Sequence, residues 1–124
     1  RPVAIVGRGM TGLDAGIGRV VARMKRRLVN DDAANAFVRR QDSWALMQHD
    51  VPAVMVSSSY GDPERLDRFM KERYHTPADK ADLIEVGGMA DDVTLHTELV
   101  REFADAKRVP APGSGGGATK GATP

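Results

Sequence analysis

Val3-Ala4-Ile5-Val6-Gly7-Arg8-Gly9-Met10-Thr11-Gly12 is the stretch on which the fold class turns. Four consecutive apolar residues ending at a glycine read as a short strand buried on both faces. The glycine-rich segment after them reads as a loop, and Thr11 is placed to cap a helix running to about Arg27. Leu13, Ile17, Val20, Val21 and Met24 fall on one face of that helix. Gly12, Gly16 and Gly18 weaken it by roughly 1 kcal/mol each where exposed, and permit close packing against a sheet. A strand feeding a helix in this way is the repeating step of α/β proteins.

Pro52-Ala53-Val54-Met55-Val56 is expected to be a second strand, followed by a polar loop from Ser57 to Gly61. Between the strands, residues 28–41 read as irregular, and Asp42 or Ser43 caps a short helix through about His49. Asp62-Pro63-Glu64 reads as an N-cap, a proline at the first helical position and an acidic first turn. That helix carries Leu66, Phe69 and Met70 to about Arg73. A last helix is expected from about Gly88 to Lys107, with Met89, Val93, His96, Val100 and Phe103 as its apolar stripe. Residues 109–124 are proline, glycine, serine, alanine and threonine with one lysine, the composition of a flexible tail. The fold class is therefore α/β, with residues 1–108 forming the structured unit. Two strands are few for three or four helices to cover, so the sheet is expected to be completed by strands outside this chain, on its N-terminal side.

Composition narrows the function. The net charge of +1 gives no basis for binding nucleic acid or an acidic membrane, and 5% aromatic residues leave little for base stacking. With no cysteine there are no disulfides, thiolate nucleophiles or cysteine-bound zinc. No run is long enough for a transmembrane helix.

Two motifs carry chemistry. Gly7-Arg8-Gly9-Met10-Thr11-Gly12 matches Gly-x-Gly-x-x-Gly after a strand, the setting of a dinucleotide fingerprint, with Asp31 and Asp32 downstream for a ribose. The intervening strand would be only Leu28-Val29, so a plain glycine-rich turn is the competing reading. Tyr74-His75-Thr76-Pro77-Ala78-Asp79 places a histidine beside a phenol after a strand-like run, in a turn that Pro77 stiffens by disfavouring helical geometry at Thr76. Neutral imidazole is the commonest protein ligand for zinc. His49 reads as a residue complementing a helix C-terminus, and His96 as a packed histidine. Ser57, Ser58 and Ser59 lack the Gly-x-Ser-x-Gly surroundings of a serine nucleophile. The Arg19, Arg23 and Lys25-Arg26-Arg27 cluster is accounted for by helix-dipole complementarity and solubility.

Phe37 to Asp105 resembles the C-terminal part of the co-catalytic zinc aminopeptidases, the family that includes glutamate carboxypeptidase-type enzymes. Phe37-Val38-Arg39-Arg40-Gln41-Asp42-Ser43-Trp44 is similar to the family's Arg-Ser-Asp-His segment, with Gln41 and Ser43 in place of serine and histidine. Asp50-Val51-Pro52-Ala53-Val54-Met55 is similar to its Gly-Ile-Pro-Ala strand. Tyr74 to Asp79 is similar to its Tyr-His-Thr-Pro-x-Asp turn, and the closing amphipathic helix follows. The resemblance implies part of a three-layer sheet-and-helix domain, a site of two zinc ions and a peptide substrate. It implies His75 as a zinc ligand and Tyr74 as the group placed near the oxyanion, with Asp79 orienting the loop. The remaining ligands and the general-base glutamate would lie upstream of residue 3, so the isolated chain is expected to be inactive. The family's habits favour a periplasmic or secreted protein. The alternatives are a dinucleotide-binding module built on Gly7–Gly12 and a catalytically silent interaction domain of the same fold.

Overall fold

The computed structural model describes residues 1–84, 86–105 and 107. The tail expected at 109–124 lies outside these residues. In chain order the elements are strand β1 (Ala4–Val6), helix α1 (Asp14–Arg23), a 3-10 segment (Ala33–Arg40), helix α2 (Ser43–Met47), strand β2 (Met55–Ser57), a 3-10 turn (Ser59–Gly61), helix α3 (Pro63–Glu72), a second 3-10 turn (Ala81–Leu83) and helix α4 (Val86–Phe103). Helix and strand are mixed, as the α/β reading requires, and the sheet has two strands.

β1 and β2 pair antiparallel, with Ile5 opposite Val56. On its other side β1 makes a single parallel bridge from Val3 to Leu28. Val3 donates to the Arg27 carbonyl at 2.8 Å and Val29 donates to the Val3 carbonyl at 2.8 Å. The chain therefore does return beside β1 after α1, but only for one bridge. The second strand is shorter than expected, with ladder pairs only from Met55 to Ser57.

The two faces of this ribbon bury different sets. Val3, Ile5 and Val56 pack with Ile17, Val20 and Val21 of α1 and with Leu95 and Leu99 of α4. Ala4 and Val6 pack on the opposite face with Ala34, Val38 and Met47. The expected α1 stripe is thus the one buried. Thr11 does not cap α1 at its first turn: its hydroxyl accepts from the Leu13 amide at 3.3 Å, and Leu13 occupies the cap position without a side-chain bond. The helix stops at Arg23 rather than Arg27 because Lys25 turns left-handed, φ +54°. Lys25 then donates to Ala22 at 2.9 Å and Arg26 to Val21 at 3.0 Å, a Schellman ending.

Gly16 lets α1 and α4 touch. A Cβ at Gly16 would lie 2.8 Å from the Phe103 ring. One turn away, the fully buried Glu102 carboxylate accepts from Arg19 at 2.9 and 3.1 Å and from Arg23 at 3.1 Å. Both arginines stay half-exposed, so the buried charge is paired while its partners remain hydrated.

Residues 28–41 are more ordered than expected, since Ala33–Arg40 is a 3-10 segment that buries Ala34 and Val38. α2 ends at Met47, and neither Asp42 nor Ser43 makes the expected side-chain cap. α3 begins as read: the Asp62 carboxylate accepts from the Arg65 amide at 3.1 Å, with Pro63 next. The α4 stripe is corrected. Leu95, Leu99 and Glu102 face the core, whereas Met89, Val93 and Val100 are 56%, 66% and 67% exposed and His96 is exposed too. α4 is apolar on two sides, so periodicity offered two faces and the one closed by the Arg19–Glu102–Arg23 bridge won.

Candidate functional site

The Tyr74–Asp79 turn hangs from the end of α3, not from a strand as the sequence suggested. Arg73 and Tyr74 both donate to the Phe69 carbonyl, at 2.9 and 3.0 Å, which winds up the helix end. Thr76 then fixes the turn. Its amide and hydroxyl donate to the Arg73 carbonyl at 2.9 and 2.7 Å, and its oxygen accepts from Ala78 at 3.2 Å. His75 sits between these anchors in the left-handed region, φ +57°. A non-glycine residue held there costs about 1–2 kcal/mol and marks a functional candidate when the surroundings enforce it.

The side chains follow from that backbone. The His75 ring stacks on Tyr74, centroids 3.9 Å apart and 20° from parallel. Tyr74 in turn leans on Phe69, 5.9 Å away. Phe69 belongs to α3, so the helix positions the phenol and the phenol positions the imidazole. Tyr74 and Asp79 border a groove of about 920 Å³ that also touches Tyr60 and Met55. His75 is exposed and is not part of the groove's lining. Among the described residues no group of three or more His, Cys, Asp or Glu side chains is arranged to hold a metal ion.

The glycine loop is built differently from a phosphate cradle. The Asn35 side-chain oxygen accepts from the Gly7 and Arg8 amides at 2.7 and 3.0 Å, and the Asn35 amide donates back to the Arg8 carbonyl at 2.9 Å. Asp14 accepts from the Gly9 amide at 2.7 Å. The amides that would meet a pyrophosphate are therefore occupied by the protein itself. A carboxylate also stands at the start of α1, where the phosphate charge would go. Asp32 holds Arg8 at 3.0 Å, and Asp31 caps the Ala33 amide at 3.0 Å.

The serines at the end of β2 and just after it are tied up in hydrogen bonds. Ser57 accepts from the Ser59 amide at 3.0 Å. Ser58 donates its hydroxyl and its amide to Asp92 of α4, at 2.8 and 3.1 Å, and Arg26 reaches the same carboxylate at 3.2 Å. His96 donates from Nδ1 to the Asp92 carbonyl at 2.7 Å. This node joins residues 34 and 66 positions apart. No local pattern in the sequence signals such pairing. Burial pushes the Asp92 carboxyl up, but the Ser58 and Arg26 hydrogen bonds and the Arg26 charge outweigh it. The net shift is below the ordinary value of 3.8.

That shift has a defined sign. The unfolded carboxyl takes its proton at a higher pH than the folded one, so between the two values stability rises with pH. The contribution is complete above the unfolded value of about 3.9 and is lost as pH falls through the folded value. Thermal unfolding followed from pH 7 down to pH about 2 is expected to show a fall in Tm below pH about 4 that Asp92→Asn weakens. An identical acid limb in the variant would remove Asp92 from that account.

Comparison of the chain with protein-family models, with curated proteins and with solved structures finds no match.

Proposed function

We propose that this chain is the C-terminal portion of a zinc-dependent, aminopeptidase-like hydrolase, and that its elements belong to a larger three-layer sheet-and-helix domain. The observation that carries the reading is the Tyr74–His75 pair. A strained backbone presents an imidazole outward while a helix-anchored phenol stacks beneath it. A turn whose only role was to reverse the chain would gain from glycine at φ +57°. Lys25 ends α1 with the same left-handed backbone, so what singles out His75 is its stack on Tyr74 together with the resemblance of Tyr74 to Asp79 to the peptidase turn.

This chain's described residues do not form a zinc site by themselves, since a catalytic zinc takes about three protein ligands and no such group is present among them. In this reading His75 supplies one ligand, and the other ligands come from polypeptide upstream. Tyr74 is the oxyanion donor: its hydroxyl hydrogen-bonds the oxygen of a peptide carbonyl as negative charge develops there. Bound zinc would supply the activation of water. The peptide lies in the groove that Tyr74 borders.

Tyr74→Phe in the longest natural form of the protein tests the assignment. Turnover is expected to fall on the order of 100-fold, the usual effect of losing one oxyanion donor, with zinc content unchanged. Unchanged turnover would remove Tyr74 from the chemistry. The purified 124-residue chain is expected to be inactive on aminoacyl substrates, and chelator-sensitive hydrolysis by it would overturn the division of the site.

A further inference from the structure

The α4 stripe that was expected to face the core lies outside it. Among the described residues, the four most exposed large apolar side chains are Val86, Val100, Val93 and Met89, 56–72% exposed, and all four lie on that stripe. Such a concentration on one helix face marks a contact surface, unlike the single apolar residues scattered over any protein. The spacing says what kind of contact. Val86, Val93 and Val100 are seven residues apart, and Met89 and His96 follow the first two at three residues. That is the period of a seam along which another helix lies. Ser58 and Ser59 wall the other side of a groove of about 830 Å³ that Met89, Val93 and Val100 border, so the seam has a place to receive one.

We infer that the occupant is α4 of a second copy of this chain, running antiparallel. A two-fold axis level with residues 96 and 97 sets Val93 opposite Val100 of the other copy, and Met89 opposite its Ala104, a large side chain against a small one. Ala104 stays in helical position just past α4, since its amide donates to the Val100 carbonyl at 2.8 Å. Charge selects the same direction. At the C-terminal end of α4, Arg19, Arg23 and Arg101 outnumber Glu98 and Glu102, the two carboxylates they bind. At the N-terminal end, Asp92 holds Arg26 and Arg1 is engaged as well, while the Asp91 carboxylate has no partner among the described residues. An antiparallel pair sets the positive end of each copy level with Asp91 of the other, whereas a parallel pair sets like ends together. Both copies use the same surface, so the contact closes at two. None of this depends on the peptidase reading.

The chain has no cysteine, so single cysteines report which positions meet across the axis. Thr97→Cys is expected to give a disulfide-linked dimer on mild oxidation, because the two copies of residue 97 approach within the ~3.5–4.5 Å between Cβ atoms that a disulfide spans. Val93→Cys is expected to cross-link at least ~10-fold more slowly, since its two copies lie about 10 Å apart along the seam. Leu46→Cys, exposed on α2 and away from this groove, gives the rate of random collision. Cross-linking fastest at Val93→Cys means a parallel pair and overturns the inference, as do equal rates at all three positions. Sedimentation equilibrium reads the association without a cysteine. The mass is expected to rise with concentration towards twice the monomer, and Val93→Glu to weaken association at least ~100-fold by burying an unpaired charge. The fold of that variant should hold, because Val93 is 66% exposed in the single copy. A wild-type chain still monomeric at about 1 mM overturns the inference. So does a longest natural form in which Thr97→Cys does not cross-link, since upstream polypeptide then covers the stripe. The readout uses neither zinc nor turnover, so a long form that pairs and holds no zinc would keep the dimer and reject the peptidase reading.

Discussion

Gly61→Ala is expected to destabilise the chain by about 3 kcal/mol, the upper part of the range for overpacking a filled site. Gly61 is buried in the turn that follows β2 and crosses the start of β1. A Cβ there would lie 2.7 Å from the Pro2 carbonyl carbon, press on its oxygen, and stand 3.2 Å from the Val3 amide nitrogen. These are backbone atoms, so no side chain can swing aside. Pro2 leads directly into the strand whose Val3, Ile5 and Val6 are at most 2% exposed, so relief must come from moving β1 or the turn. Gly18→Ala is the control. It sits inside α1 with no heavy atom within 4 Å of the added carbon. There alanine should stabilise by up to about 1 kcal/mol through helix propensity. Urea unfolding at neutral pH reads both, and the two midpoints should move in opposite directions. A Gly61→Ala midpoint equal to wild type would show that the approach of the turn to Pro2 does not constrain the fold.

The contrast between those glycines shows where the sequence was readable. Local signals worked where the deciding contacts were local. The apolar run at Val3–Val6, the α1 stripe and the Asp62-Pro63 start of α3 were all legible because capping, burial period and proline geometry act within a few residues. Gly18 and Gly61 carry the same letter, yet only the second is fixed by a partner 59 positions away. Orientation failed for the same reason. α4 offered two apolar faces, and the choice between them lay with Arg19 and Arg23, which reach Glu102 from a helix about 80 residues earlier. The antiparallel pairing of β2 was likewise invisible in a five-residue apolar run. In the candidate site, the turn was recognised from Pro77 and Thr76, while the left-handed backbone at His75 was not. Left-handed backbone is uncommon at any non-glycine residue, even at histidine, which is enriched there, and the Phe69–Tyr74–His75 stack depends on where α3 ends.

His75→Ala in the longest natural form should lower zinc from near two per chain towards one, and turnover by at least ~100-fold, because a zinc with three protein ligands is left with two. Loss of activity alone would be ambiguous, since the residue also occupies a strained turn. His75→Gly separates the roles. Glycine adopts φ +57° without the left-handed penalty of about 1–2 kcal/mol and gives back a similar amount as unfolded-chain entropy. Its Tm should therefore stay within a few degrees of wild type, on the scale set by ~1 kcal/mol in a domain of this size. A glycine variant that folds normally and has lost zinc assigns the imidazole to the metal. A glycine variant that keeps zinc and turnover rejects the assignment. His96→Ala is the matched control, because its Nδ1 bond to the Asp92 carbonyl lies on α4 and its loss should leave metal content unchanged. If the long form holds no zinc before any substitution, the strained histidine belongs to a catalytically silent domain, and the Tyr74–His75 stack is then a contact surface presented at the end of α3.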